Sequence, residues 1–352
     1  MVKHKIWVEK VSRVRGEPTT RHGLIRLDKN ERVTGFSQEF LEQLMSELTS
    51  DHLTAYPEPE ILYEQLAQLH NVSSNNLMLT AGSDAGIRHC FDLFVNPGGE
   101  VVVLEPTFAM VDIYCQLYGA QKQAVGYDNQ LQLDVDRLLE SINPKTELVV
   151  IANPNSPTGT LISQEDIKTI LLKAASFDVP VLVDEAYYGF CKQTAVPMLK
   201  EHDNLIVSRT FSKAFGLAGL RMGYLLAQTQ VAQLLYRFRP MYEVNAVGIQ
   251  VALKLLDQPQ IVENYLSDTE DGRRHLLDFA QIKRLNFVDT QTNFIHIDFG
   301  SKKQKVVEEL SKSGILVRGG LPVKGFETYL RISLGPMVAM KSLTEVISKV
   351  VV

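Results

Sequence analysis

Cysteine is scarce: Cys90, Cys115 and Cys191 are the only three in 352 residues, and none forms a Cys-x-x-Cys pair. That excludes a disulfide framework and a cysteine-rich metal ribbon, and points to a reducing compartment with three ordinary thiols. Positive charge is in deficit, with 36 Lys and Arg against 41 Asp and Glu for a net charge of −5. No broad nucleic-acid footprint is expected from such a chain. No apolar run approaches the ~18 residues that would cross a bilayer. The basic N-terminus MVKHKIWVEKVSRVRGEP lacks the apolar core of a secretion signal. The expectation is a cytoplasmic protein with no membrane and no nucleic-acid partner.

Several catalytic signatures are missing as well. VPVLVDEA resembles the apolar strand ending in Asp-Glu that holds magnesium in P-loop enzymes, but the dipeptide Gly-Lys occurs nowhere. There is no Gly-x-Gly-x-x-Gly, no Gly-x-Ser-x-Gly and no His-Glu-x-x-His. Nucleoside-triphosphatase, nicotinamide and zinc-hydrolase readings lose their support, and no metal site is expected.

What is present is an ordinary globular balance, 45% hydrophobic and 22% charged, long enough for about two domains. Apolar runs at 101–106, 147–154, 179–186, 204–210 and 222–227 are rich in Val, Ile and Leu without polar alternation. Such runs suit parallel strands covered on both faces. Between them lie helical patterns: Ile87, Phe91 and Phe94 share one face of 83–95, and Ile167, Ile170 and Leu171 recur at helical spacing. This alternation predicts a large α/β domain with a mostly parallel central sheet flanked by helices. After about residue 245 the pattern changes to a helical region (247–281), a strand-like NFIHIDF (293–299), a helix (303–313), GILVR (314–318) and YLRISLG (329–335). The expected organisation is an N-terminal arm (1–40) joining the small domain, a large domain (41–245) and a smaller α+β domain (246–352).

Four segments fall at the ends of predicted strands, where open α/β sheets bind ligands. In TAGSDAG (80–86), the backbone N–H groups of Gly82, Ser83 and Asp84 open a helix and can receive a phosphate. NPNSPTG (153–159) is a fixed turn that presents Asn155. DEAYYGF (184–190) places Asp184 at the end of a buried run, where its carboxylate needs a cationic partner, with Tyr187 three residues on. SRTFSKAFGLAGLR (208–221) carries Thr210, Ser212, Lys213 and Arg221 among small residues. Each segment alone fits a plain structural role: a capped helix, a turn, an N-cap Asp, a surface lysine. Together they supply what pyridoxal 5′-phosphate requires: an amine for a Schiff base, a carboxylate for the pyridine nitrogen, donors for the phenolate and a nest for the phosphate.

On the motifs YPEP, GSD, PTF, NPNSPTG, DEAY, TFSKAFGLAGLR, GILVR and YLRIS, the sequence resembles the fold-type I pyridoxal-phosphate aminotransferases. It is most similar to the histidinol-phosphate aminotransferase-like group of class I/II, over roughly residues 24–336. The resemblance implies Lys213 as the Schiff-base lysine, Asp184 on the pyridine nitrogen, and Asn155 and Tyr187 at the phenolate. Phe108 of EPTF would stack on the ring, where the family often has Tyr. Ser83, Asp84, Thr210, Ser212 and Arg221 would surround the phosphate. Tyr56 of AYPEP would reach the neighbouring subunit's cofactor, implying a homodimer with shared active sites. Arg318 and Arg331 would hold an acidic group of the substrate, with Asn30 and Arg32 close to it. The implied activity is amino transfer in amino-acid biosynthesis, from a donor such as glutamate to a small phosphorylated ketone or aldehyde.

Two departures touch the substrate end: Asn30-Glu31-Arg32-Val33 replaces the family's Asn-Glu-Asn-Pro or Asn-Glu-Tyr-Pro, and Gly335-Pro336 replaces its Gly-Thr. A phospho-amino-acid decarboxylase shares the scaffold and is the alternative. A regulatory sensor on the same scaffold is disfavoured by the acidic charge and the ~25 residues before the matched region.

Overall fold

The computed structural model describes residues 2–12 and 21–351; part of the expected N-terminal arm, 13–20, lies outside them. Twelve strands among the described residues are β1 (Ile25–Leu27), β2 (Leu77–Thr80), β3 (Glu100–Glu105), β4 (Gln121–Gly126), β5 (Thr146–Ala152), β6 (Val181–Asp184), β7 (Leu205–Thr210), β8 (Gly223–Ala227), β9 (Phe287–Val288), β10 (Phe294–Asp298), β11 (Ile315–Gly319) and β12 (Tyr329–Ser333). They form a seven-stranded sheet, β2-β8-β7-β6-β5-β3-β4, and a five-stranded sheet, β1-β11-β12-β10-β9.

The apolar runs become the centre of the larger sheet because both of its faces are covered. Val102, Leu104, Val149, Ile151, Val181, Val183, Leu205 and Val207 join one core. Their chain neighbours Val101, Val103, Leu148, Val150, Leu182 and Ile206 join the core on the opposite face. Successive side chains of a strand alternate sides, so helices on both faces leave no position for a polar residue. Each fully buried side chain of this kind contributes about 1.5–3 kcal/mol.

One strand departs from the sequence expectation. The run at 222–227 was expected with the parallel strands, but β8 is antiparallel to both β7 and β2. A parallel return needs a crossover, usually a helix. Residues 211–222 hold only a three-residue 3₁₀ turn, Ala218–Leu220, so the chain doubles back. The edge strand β4 (QKQAVG) is largely exposed and polar, and β2 is only four residues long, so neither stood out as an apolar run.

The helical region expected at 247–281 is two helices, Ala246–Asp257 and Pro259–Ile282. Pro259 cannot continue the first helix and excludes Gln258 from helical geometry, leaving it at φ −122°, ψ 61°. Being at N1, the proline begins the second. That long helix and the helices Lys303–Lys312 and Met337–Ser348 cover the small sheet through Leu276, Val306, Leu310, Met340, Leu343 and Ile347.

The N-terminal stretch divides between the two sheets. β1 pairs in parallel with β11, while the 3₁₀ turn Ile6–Lys10 rests on the helix Ala109–Tyr118 of the larger sheet. There Trp7 Nε1 donates to Leu117 O at 2.9 Å. No helix among the described residues is long and apolar enough to cross a membrane.

Candidate active site

Strand register brings the four segments to one edge. Ala152 pairs with Asp184 and Asp184 with Ser208. Beside them Thr210 pairs with Gly223, and Gly223 with Thr80. The loops that follow Thr80, Ala152, Asp184 and Thr210 therefore leave the sheet side by side.

The first loop builds a cradle. Gly82, at φ +83°, precedes the helix Ser83–Phe94, whose first N–H groups have no partner within the helix. The Arg221 guanidinium approaches this glycine through Nη2; a Cβ there would stand 2.6 Å from that nitrogen. Ser212 N donates to Thr210 Oγ1 at 3.1 Å, and the buried Ser212 Oγ has no partner. A cation, a hydroxyl without a partner and a helix N-terminus carried by neighbouring loops suit a phosphate. Asp84 contributes to this cradle through its backbone, because its carboxylate is occupied by the Tyr114 hydroxyl at 2.9 Å.

Beside the cradle stand the groups that suit a protonated ring and an aldehyde. Asp184 is buried, and its Oδ1 has no hydrogen-bond partner. Burial raises its pKa to about 7, so a cation placed opposite it would stabilise the carboxylate form. Lys213 Nζ donates to Lys29 O at 3.1 Å and lies 5.8 Å from the Tyr187 ring. Removal from bulk water, reinforced by the Arg331 cation, lowers its pKa to about 8. A half-buried lysine with its pKa lowered in this way is a usable nucleophile and base near neutrality. Tyr187 is buried, and burial raises the pKa of its phenol. Phe108 opens the helix Ala109–Tyr118 just beyond β3, on the same edge. Asn155 is held tightly: Nδ2 donates to Pro106 O and to Thr158 Oγ1, both at 2.8 Å, and Oδ1 accepts from Thr107 at 3.0 Å. A phenolate oxygen must therefore displace one of those two acceptors.

At the substrate end β11 and β12 do pair, and Arg318 faces Arg331 directly in register. Arg331 Nη2 donates to Asp28 O at 2.8 Å, its Nε is buried without a partner, and Arg318 is exposed at the rim. Two of the residues expected close to the substrate's acidic group, Arg32 and Asn30, make contacts of their own. The Arg32 guanidinium sits 4.5 Å from the Phe36 ring and 4.0 Å from the Tyr265 ring, where it stacks on two aromatic faces. Asn30, expected to face the substrate, is buried and bonds to Tyr187. Tyr56 is 73% exposed, with its ring stacked on Tyr242 at 4.0 Å.

Two buried pairs behind the site were not foreseen. Glu185 accepts from Arg209 Nη2 at 2.7 Å and from its Nε at 3.0 Å on the far side of β6. Glu243 accepts from Ala81 N at 3.0 Å and bonds His89, clamping the TAGSDAG loop from beneath. The one available signal was strand alternation: if Asp184 faces the site, Glu185 must face away and needs its own cation.

Comparisons with known proteins give the family and the fold. The family model for aminotransferase class I and II matches residues 23–350. A histidinol-phosphate aminotransferase of Thermoanaerobacter sp. is 35% identical, over 88% of this chain and 88% of its own. Histidinol-phosphate aminotransferase 1 of Idiomarina loihiensis is 33% identical, over 89% of this chain and 85% of its own. The crystal structure of histidinol-phosphate aminotransferase from Sinorhizobium meliloti in complex with pyridoxal-5′-phosphate superposes with a TM-score of 0.82 at 25% identity, covering 93% of this chain and 90% of that one. These relatives favour amino transfer over decarboxylation.

Proposed function

The chain belongs to the aminotransferase class I and II family, and from that premise we propose that it moves an amino group from glutamate to a small phosphorylated ketone or aldehyde, with pyridoxal 5′-phosphate as cofactor. The donor set fits the cofactor: Asp184 Oδ1 and Ser212 Oγ are buried without partners, and Arg221 approaches the glycine that opens a helix. When bound, pyridoxal phosphate supplies an electrophilic aldehyde carbon and a sink for the electron pair left on the substrate carbon.

The chain's own residues do the rest. Ser83, Thr210, Ser212 and Arg221 hold the phosphate, while Asp184, once opposite a cationic ring nitrogen, is stabilised as a carboxylate and keeps that nitrogen protonated. Asn155 and Tyr187 fix the phenolate oxygen, and Phe108 covers a ring face. Lys213 would take and return the proton at the substrate carbon, as base and then acid, a role its lowered pKa permits near neutrality. Arg331, half-buried and planar, receives an acidic group in bidentate fashion.

The phosphorylated substrate rests on one observation, the facing pair Arg318 and Arg331. Two guanidinium groups on adjacent strands exceed what a single carboxylate needs, and suit the three oxygens of a phosphate. Histidinol phosphate, for which the relatives are named, has this chemistry. The active unit we propose is a cytoplasmic homodimer. The solvent-facing Tyr56 and the neighbouring exposed Leu53, Ile61 and Met241 support a second copy seated there, and the three free buried thiols suit a reducing compartment.

The test is the ratio of specificity constants for a phosphorylated substrate and its dephosphorylated analogue. Charge-assisted bonds to two arginines, at about 1.5–3 kcal/mol each, predict a preference of at least hundreds-fold. Arg318→Ala should cut that preference tens-fold while leaving the glutamate half-reaction near wild type. Near-equal constants for the two substrates would refute the phosphate assignment.

A further inference from the structure

Asn30 is an asparagine with no freedom left. It is 2% exposed and sits at φ +56°, a left-handed conformation that asparagine tolerates better than most residues. All of its polar groups are engaged. Its backbone N–H donates to Ser333 Oγ at 2.9 Å, and the serine hydroxyl donates in turn to Asn30 Oδ1 at 2.8 Å. Its carbonyl accepts from Asn293 Nδ2 at 3.0 Å. In this arrangement the serine hydroxyl donates to Oδ1 and the NH₂ end of the amide points the other way. There it donates to Tyr187 Oη at 2.9 Å.

A phenol has one hydrogen to give. If an asparagine carbonyl faced Tyr187, that hydrogen would be spent on it. Because an N–H faces it instead, a lone pair of Oη is filled and the hydrogen is left for an acceptor other than Asn30, with the Ser156 side chain also in reach of the same hydroxyl. We infer that Asn30 is a positioning residue: by donating to Tyr187 Oη, it turns the tyrosine's own proton toward the phenolate oxygen of the cofactor. Ser333 sets the amide's orientation and so acts one step further back. This inference rests on the proposed binding of pyridoxal phosphate with its phenolate at Tyr187, and adds a residue outside the DEAY segment that sets how well the phenolate is stabilised. The charged groups facing Tyr187 are Arg331, Asp184 and Lys213.

The readout is the pH at which the visible band of the bound cofactor changes form. That midpoint reports how tightly the proton beside the anionic oxygen is held, and a hydrogen bond to the oxygen lowers it. Asn30→Gly keeps the left-handed backbone and deletes the amide. It should raise the midpoint by roughly 0.5–1 pH unit, 3–10-fold in proton affinity, the range of one net hydrogen bond. In a Tyr187→Phe background the same substitution should leave the midpoint where Tyr187→Phe alone puts it. An unchanged midpoint in the otherwise wild-type protein, or equal shifts in both backgrounds, would overturn the inference and leave Asn30 a packing residue. Asn30→Asp provides a second arm of near-identical shape. Its carboxylate would draw the Tyr187 proton onto itself, so the midpoint should rise at least as far as in Tyr187→Phe; a wild-type midpoint would again overturn the inference. Failure of the cofactor assignment itself looks different, because the wild-type protein would then take up no chromophore.

Discussion

Among single residues, Asp184 shows most clearly how the site trades stability for chemistry. Without a cation opposite it, the folded protein keeps a proton on Asp184 up to about pH 7, whereas the unfolded chain releases it near the ordinary value of 3.8. The folded state therefore binds more protons between these values, and its stability falls as pH rises from about 4 to 7. Asparagine at this position does not titrate. In cofactor-free protein, Asp184→Asn should melt higher than wild type at pH 8, with a difference that shrinks toward pH 4; a difference independent of pH would contradict the account. With cofactor present the same variant should lose activity by roughly hundreds- to a thousand-fold, as removal of one electrostatic stabiliser of developing charge commonly does. Asp184 was legible from its sequence context, because a carboxylate at the end of an apolar strand leaves a buried run and needs a cation opposite it. The placement of Arg32 was less legible. Its partners are Phe36, four residues on, and Tyr265, which no pattern near residue 32 announces.

At the level of elements, the cradle depends on how closely β8 approaches the TAGSDAG loop. A Cβ on Gly223, the first residue of β8, would stand 2.5 Å from Ser83 N and 2.6 Å from Gly82 C, both backbone atoms with no room to yield. Gly223→Ala should push the loop off the sheet edge, costing about 1–3 kcal/mol of stability and weakening cofactor binding at least tenfold. Gly219, four residues earlier, has open space where a Cβ would go. Gly219→Ala should stay within about 0.5 kcal/mol of wild type and bind cofactor normally. Denaturant melts and cofactor titrations of the pair check both statements, and equal behaviour of the two variants would contradict them. The elements that the sequence declares are those with uniform burial, such as β3, β5, β6 and β7. Those it conceals owe their place to partners: β4 is polar because it is an edge, and the direction of β8 follows from the lack of a helix in the loop before it.

For the whole molecule, the single chain leaves the site incomplete on the reading proposed here. Tyr56 belongs to the AYPEP segment, is exposed, and stacks on Tyr242. If it serves the partner's cofactor, mixing an inactive Lys213→Ala chain with a Tyr56→Ala chain should restore activity above the sum of the two parents, since one site per heterodimer is intact. No gain after proven subunit exchange would place Tyr56 within its own chain's function. The fold class, the helices on both sheet faces and the grouping of the four loops were legible because they depend on local periodicity and strand ends. The pairs Glu185–Arg209 and His89–Glu243 were not, because their partners lie 24 and 154 residues apart and only the folded sheet brings them together.

Lys213 is the centre of the proposed chemistry, as the residue that carries both the cofactor and the proton. Its amine lies at the sheet edge beside Tyr187, with a pKa drawn down to about 8 by burial. Borohydride reduction of the cofactor-loaded protein, followed by peptide mapping, tests this directly. The label should appear on the single peptide containing Lys213, with loss of the visible colour, and Lys213→Ala should give neither colour nor label. A label on another lysine, or one that persists in the Lys213→Ala protein, would contradict the account.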